Sequence, residues 1–496
     1  MATRIDPIVS PKLTLEVLTP EQVGRIHEAT LEVIETVGVR FPTPKALDLW
    51  EAHGATVDRE RQVAKVPRKV IEDALALAPA AYVLGARDPS QDCPLDGEHV
   101  FAATDGCGIE VIDIETGELR RSRLQDVEEI ARVADALDEV GFHWVPVSAQ
   151  DKPAESRALH ELAAIWKNST KHAQTESIVT EHEARAAIEM AAAIMGGHDA
   201  LRERPVLSMM QCTTSPLGQD GGSIEAALVA AEHGIPVGFM TMSSSAFSGP
   251  ATLAGTLVVG NAEVVSAMAL MELAYPGCPV YYAAAQTAMD LRSGAYTGGG
   301  PEDFLFGAAT NALADFYHVP LSMGAFATGA KEPDWQAGVE NAMSCFMASV
   351  VTSDMLLGVG LLNGSRIFSY EQMLFDCEIY SIVRSMLKGI DTSDEGLALD
   401  AIREVGPAPA DYLAIKHTRA HMRELWTPRF MERRPYGQWS EAPDRNRDWA
   451  LEKARTILRT HQPDPLDPAV SAELDSIIAG VEADVASGKL VVAAHG

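Results

Sequence analysis

The sequence predicts an α/β fold: a (β/α)8 TIM barrel with an N-terminal helical extension and a C-terminal helical tail. Three observations carry this. First, short apolar runs recur eight times, starting at His99, Phe142, Lys171, Pro205, Pro236, Pro279, Pro320 and Met355. Their spacing of 29 to 43 residues is the length of a strand, a helix and two loops. Second, the runs are continuously apolar rather than alternating, so both faces are covered, which marks a parallel sheet. Third, none is followed by the G-x-G-x-x-G turn of an open, doubly wound sheet.

Residues 19–80 precede the runs and read as short helices. "TPEQVGRIHEATLEVIETVG" opens with Thr19 as cap and Pro20 at the first helical position, and closes on Gly38. "GARDPSQDCPLDG" is a connector. Four of the runs begin with proline, which is tolerated at a strand's first residue. The chain thus divides into an extension and connector (1–98), a barrel (99–369) and a helical segment packed on the barrel (370–496).

The bulk numbers exclude several classes. Forty basic against seventy acidic residues give a formal charge of −30, the wrong sign for a nucleic-acid partner. Such acidity is compatible with attraction of cations. Six scattered cysteines form no disulfide framework, and reduced thiols in the cytoplasm are expected. The first residues contain no apolar signal core. The most apolar stretch, "PATLAGTLVVGNAEVVSAMALMELAYPG", is interrupted by Asn261, Glu263 and Glu272 at helical spacing, so a buried helix and no membrane partner is expected.

In a barrel, chemistry sits where strands end. Those ends supply Thr104 and Asp105; His143, Trp144 and Ser148; His172, Gln174 and Glu176; Gln211 and Thr213; Thr241 and Ser243. The remaining strands add Tyr281, Tyr282 and Gln286; Phe326, Lys331, Asp334 and Trp335; Asn363 and Arg366. Strand residues alternate sides, so only one of Tyr281 and Tyr282 points inward. No G-x-S-x-G elbow, H-E-x-x-H, P-loop or C-x-x-C occurs. Cys107 and Cys212 both approach the mouth but lack a well-spaced histidine, so no metal site is expected. "YTGGGPED" reads as a loop and a helix cap, whose two acids oppose an anion. What remains, aromatics with scattered carboxylates, suits a quaternary ammonium ion, which donates no conventional hydrogen bond and is held by ring faces and diffuse negative charge.

With these residues in view, the sequence resembles the trimethylamine methyltransferase family. The likeness runs through "IHEATLEVIETVGVRF", "KVPRKVIEDALALAP", "TGELRRSRLQDV", "GGGPEDFLFGAATNALADFYHVP", "GAKEPDWQAGVEN", "FSYEQMLFDCEIY" and "HTRAHMRELWTPRF". The resemblance implies methyl transfer from a methylated amine to cobalt(I) of a separate corrinoid protein. Members acting on trimethylamine carry pyrrolysine in the barrel, in the stretch where Lys331 stands here. All residues of this chain are standard, which points to the branch that demethylates quaternary amines such as glycine betaine. One departure stands out: after "EVGP" the family usually has a glycine-glycine-histidine-like turn, and this chain has "APADYLAIKHT".

A tertiary amine leaves a quaternary nitrogen neutral, so no general acid is required. The site need only hold the cation, aim one methyl outward and exclude water. The expected arrangement places the ammonium among Tyr281 or Tyr282, Phe326 and Trp335. Asp105, Glu176 or Asp334 balances its charge, and Arg292, Arg366 or His172 fixes a substrate carboxylate, with Gln174 and Gln211 as further polar contacts. Lys331 pairs with Glu332 or Asp334. No corrinoid-binding D-x-H-x-x-G run occurs, so the chain is expected to bind no cofactor itself; the cobalamin comes on a partner. The segment "RELWTPRFMERRPYGQW" is either that partner's contact or an amphipathic helix closing the barrel. Two rival readings are a lyase-type barrel with Lys331 as Schiff base, and a non-catalytic binder of quaternary amines. The oligomeric state stays open.

Overall fold

The computed structural model describes residues 4–489 apart from 297, 442, 444 and 445. Eight strands build its centre: β1 His99–Thr104, β2 Val140–Trp144, β3 Ala173–Thr175, β4 Leu207–Cys212, β5 Val237–Thr241, β6 Val280–Ala284, β7 Leu321–Gly324 and β8 Met355–Val359. Each is parallel to the next, and β8 returns to β1 through Leu356 opposite Ala102, which closes the barrel. Seven of the eight predicted runs contain one of these strands whole; β2 begins two residues before its run, at Val140. The prolines do not start strands: Pro236, Pro279 and Pro320 stand immediately before β5, β6 and β7, where no ladder donor is lost.

A helix follows each strand: α1 Leu124–Asp135, α2 Arg157–Asn168, α3 Glu181–Met195, α4 Gly221–His233, α5 Leu253–Ala274, α6 Pro301–Tyr317, α7 Trp335–Val350 and α8 Tyr370–Leu387. Alternation along the strands splits the core in two. Phe101, Ala103, Phe142, Trp144, Met210, Met240, Tyr281, Met355 and Leu357 fill the barrel interior. Val100, Ala102, Ala173 and Tyr282 face the helices. Tyr281 is therefore the inward tyrosine.

The N-terminal segment closes the barrel floor. A hairpin of Tyr82–Leu84 and Cys93–Leu95 packs Leu84, Cys93 and Leu95 into the interior cluster. It is pinned by Tyr82 Oη donating to Val280 O at 3.2 Å. The helix Pro20–Thr36 begins with the expected Thr19 cap, reciprocated by Gln22. It lies on α5, where Asn261 Nδ2 donates to Thr30 Oγ1 at 2.9 Å and to Tyr317 Oη at 2.8 Å. Among the described residues α5 is the one helix long and apolar enough to cross a membrane, and most of it is buried inside the fold. In the C-terminal segment, the helices Asn446–Thr460 and Pro468–Ala486 pack on α1 and α8 and on α2 and α3 respectively.

Two small sheets rise from the loops at the C-terminal ends of the barrel strands. One joins Glu110–Ile112 and Leu119–Arg121 after β1 to Leu361–Leu362 and Ile367–Phe368 after β8. The other joins Ser244–Ser245 after β5 to the hairpin Thr287–Asp290 and Ala295–Tyr296 after β6. They stand on opposite sides of the barrel mouth.

Candidate active site at the barrel mouth

Between these two sheets lies a cavity of 420 Å³. Trp144, Met240 and Leu357 form its floor from the strand ends, and Asp105 and Cys107 one wall. Tyr296 and Ala295 descend from the hairpin, and Lys331, Asn363 and Arg366 stand at the rim. Its size falls within the roughly 300–1,000 Å³ of small-molecule sites.

Asp105 is the fixed anion of this space. It is buried, and its Oδ1 accepts from the Gly106 and Cys107 amides at 2.7 and 3.3 Å. Its Oδ2 accepts from the Ser365 hydroxyl, which ties the end of β1 to the loop after β8. Burial raises the Asp105 pKa, and these three donors oppose the rise by stabilising the charged form. The Ser365 position is unusual: Asn363, Gly364 and Ser365 take φ of 56°, 62° and 65° in succession. This turn is held down by Asn363 N donating to Ala330 O at 2.7 Å and Gly364 N to Thr328 O at 2.9 Å. Backbone strain of this kind concentrates where a site is pre-organised.

Behind Cys107 stands Glu176. Cys107 Sγ donates to its Oε1 at 3.4 Å and Cys212 Sγ to its Oε2 at 3.8 Å. Burial, aided by the Asp105 charge, pushes Glu176 up to about 7. Burial and the neighbouring Glu176 charge raise both thiols, so they are protonated donors rather than nucleophiles. At the rim, Lys331 is exposed and its ammonium donates to Gly329 O. Arg366 is exposed, and no hydrogen bond or ion pair holds its guanidinium among the described residues.

Of the residues expected in the site, Asp105, Lys331 and Arg366 line the cavity and Glu176 backs it. The others are placed elsewhere, each for a physical reason. Tyr281 lies lower in the barrel, its hydroxyl donating to Gln174 Oε1 at 3.0 Å and Met209 O at 3.1 Å, so both Tyr281 and Gln174 are interior packing. Tyr282 faces the helices. His172 is buried near the floor, with Nδ1 2.8 Å from Gly85 O and Nε2 2.8 Å from Ser208 Oγ; burial lowers it to about 4, so it is neutral. Gln211 is buried and donates to Ile178 O at 3.0 Å.

The cup expected from Phe326 and Trp335 does not form. Phe326 adopts φ 51°, which turns its ring out of the barrel into the core against the helices. Asp334 caps α7 through the Gln336 and Ala337 amides, and Trp335 begins that helix on its outer side, 81% exposed. Arg292 sits at the exposed tip of the hairpin, away from the cavity. Nor does Lys331 pair with Glu332 or Asp334; Glu332 pairs with Arg447 at 3.0 Å. The aromatic surfaces are instead Trp144 in the floor, which belongs to the predicted strand ends, and Tyr296 in the wall, which does not. Tyr296 follows its strand by twelve residues, and only the hairpin signal "AMDLRSGAY" marks it.

The sequence model of trimethylamine methyltransferase matches residues 1–486. The chain belongs to the trimethylamine methyltransferase family. It is 34% identical over 463 residues to a trimethylamine methyltransferase of Desulfitobacterium hafniense, covering 93% of each chain. It is 33% identical over 466 residues to a glycine betaine methyltransferase of the same species, covering 93% of this chain and 96% of that one. The crystal structure of Methanosarcina barkeri monomethylamine methyltransferase superposes with a TM-score of 0.56 at 12% identity, covering 91% and 89% of the two chains; this likeness supports the fold. The protein is thus a methyltransferase of the methylamine class, on an eight-stranded barrel.

Proposed function

We propose that this methyltransferase takes a methyl group from a quaternary amine, glycine betaine or a close analogue. It passes the methyl to cobalt(I) of a corrinoid carried by a separate protein. The observation that carries this reading is the polarity of the cavity. A fixed buried carboxylate, Asp105, stands in one wall, aromatic and thioether surfaces of Trp144, Tyr296, Met240 and Met242 line the floor and the other walls, and two cations, Lys331 and Arg366, stand at the rim. A zwitterion with its ammonium inward and its carboxylate outward fits that gradient. Ring faces and polarisable sulfur suit a cation without N–H groups, and the named betaine-using relative supports the choice.

The chemistry asks little of the protein. The carbon–nitrogen bond breaks with its electron pair leaving on a neutral tertiary amine, and the methyl carbon bonds to cobalt, which supplies two electrons. No proton moves, so no acid–base pair is required. Asp105 orients the ammonium electrostatically, Arg366 and Lys331 hold the carboxylate, and the floor excludes water. The Schiff-base reading gains nothing here: Lys331 is exposed on a backbone carbonyl and lacks the burial that activates a lysine nucleophile.

The test incubates the protein with cob(I)alamin, free and on the cognate corrinoid protein, and a panel of methylated amines while the cobalt spectrum is followed. Methylcobalamin is expected with betaines and not with trimethylamine. Absence of product from every quaternary amine rejects the reading. Calorimetric binding of betaine without any methyl transfer favours a non-catalytic binder.

A further inference from the structure

We propose that Asp303, on the first turn of α6, is a further specificity-determining residue: a second anion for the substrate ammonium, set behind Tyr296. The role rests on the proposed reading of the mouth cavity as a quaternary-amine site. Next to that cavity lies a smaller chamber of 30 Å³, lined by Gln286, Tyr296, Asp303, Phe304 and Ser344 among others. Tyr296, Ala285, Gly324 and Ala327 border both spaces. The chamber has room for about one water molecule, too little for a trimethylammonium group. Tyr296 is thus part of a partition, with the substrate space on one side and Asp303 on the other.

The ring is fixed in that place. A Cβ at Gly364 meets Tyr296 Cδ1 at 3.2 Å, and one at Gly298 meets Cε1 at 3.4 Å. One edge of the ring therefore rests on two glycines, where no side chain displaces it. Gly364 belongs to the left-handed turn after β8, so that turn supports the ring which the hairpin after β6 lowers.

Asp303 is held on its own side. Its Oδ2 accepts from Gly300 N at 3.0 Å and so caps α6. A cap requires an acceptor, not a charge, and asparagine serves as well. The charge has a cost here: burial pushes the Asp303 pKa up to about 6, which still leaves the carboxylate ionised at pH 8. Asp105 and Glu176 are raised by burial in the same way. Three carboxylates thus gather around one cavity, and no basic side chain is paired with any of them among the described residues. Like charges withdrawn from water oppose one another unless a cation joins them. A permanent cation in the mouth cavity supplies that partner. Asp303 acts on it across the partition, by its field rather than by contact, and adds to the negative potential of the aromatic wall.

Calorimetry at pH 8 tests this with glycine betaine and 3,3-dimethylbutanoate, which has the same shape with carbon in place of the charged nitrogen. Asp303→Asn keeps an acceptor for Gly300 and removes the charge. It is expected to weaken betaine binding roughly tenfold and to leave the carbon isostere unchanged. Tetramethylammonium is expected to lose the same factor as betaine, because the substrate carboxylate plays no part. Glu302→Gln removes a charge from the same turn but lines neither space, and is expected to change neither ligand. Near-ultraviolet circular dichroism checks the fold, and Asp303→Ser serves as a second neutral variant. An equal loss for betaine and its isostere makes Asp303 a helix cap alone and overturns the proposal, as does an unchanged betaine affinity. A wild type that binds no quaternary amine overturns the proposed function, and this role with it.

Discussion

Asp105 shows what a single residue contributes at this mouth. Its carboxylate is held by two amides and a hydroxyl, so its position is fixed before substrate arrives and little reorganisation accompanies binding. Asp105→Asn keeps an amide oxygen for the Gly106 and Cys107 donors but removes the charge. We expect the KM for glycine betaine to rise about 10- to 100-fold, with a smaller change in kcat, in steady-state assays. Glu176 gives a pH signature. Burial holds it near 7, so it is largely neutral at pH 6 and ionised at pH 8. A quaternary ammonium keeps its charge throughout, so betaine affinity is expected to rise roughly fivefold over that interval. Glu176→Gln should flatten the profile; a flat profile in the wild type would remove Glu176 from the electrostatics of the site. At this scale the sequence was partly readable. Asp105, Lys331 and Arg366 follow strand ends closely, so strand position located them. Phe326 and Trp335 misled because a left-handed residue and a helix cap redirect the chain within a few positions of β7, and neither has a signature in apolar periodicity.

Elements were readable in proportion to their length. The eight strands and eight helices repeat a pattern long enough to be recognised, and the Thr19–Gln22 cap announces its helix directly. The two mouth sheets are built from strands of two to four residues, shorter than any periodicity can mark. The hairpin after β6 therefore went unseen, and with it Tyr296, the aromatic wall that it lowers into the cavity. Its backbone is closely packed at the exit: a Cβ at Gly298 meets Ala327 O at 2.7 Å. The hairpin is thereby set against the loop after β7. If Tyr296 acts through its ring face, Tyr296→Ala weakens glycine betaine binding by about 1–2 kcal/mol while Tyr296→Phe changes it little. Calorimetry on both variants decides; a large loss in Tyr296→Phe transfers the role to the hydroxyl.

At the scale of the whole molecule, the mouth depends on groups far from any ligand. Glu263 on α5 is the clearest case. Its carboxylate accepts from Thr213 Oγ1 at 2.6 Å, Ser215 Oγ at 2.8 Å, Leu217 N at 2.8 Å and Thr241 Oγ1 at 2.9 Å. One buried side chain thus fastens the ends of β4 and β5 to the helix that also carries the N-terminal segment through Asn261 and Thr30. The same apolar sequence that qualifies α5 by length and composition to cross a membrane is, with Glu263 and Asn261 in place, the internal spine joining extension to barrel. Burial raises the Glu263 pKa, and its four donors oppose that rise by stabilising the charged form. Glu263→Ala leaves those four donors without their acceptor in a site that admits little water. A loss of about 3–5 kcal/mol in unfolding free energy is expected, because each unpaired buried donor costs ~1–3 kcal/mol and local relaxation recovers part of it. Urea denaturation measures this, with Glu263→Gln expected between the two because its amide oxygen still accepts. The decisive comparison is kinetic. If the role of Glu263 is to hold the architecture, kcat/KM per folded molecule falls only through displacement of the β5 end, where Met240 and Met242 line the cavity. Loss of activity without loss of stability would place Glu263 in the chemistry instead.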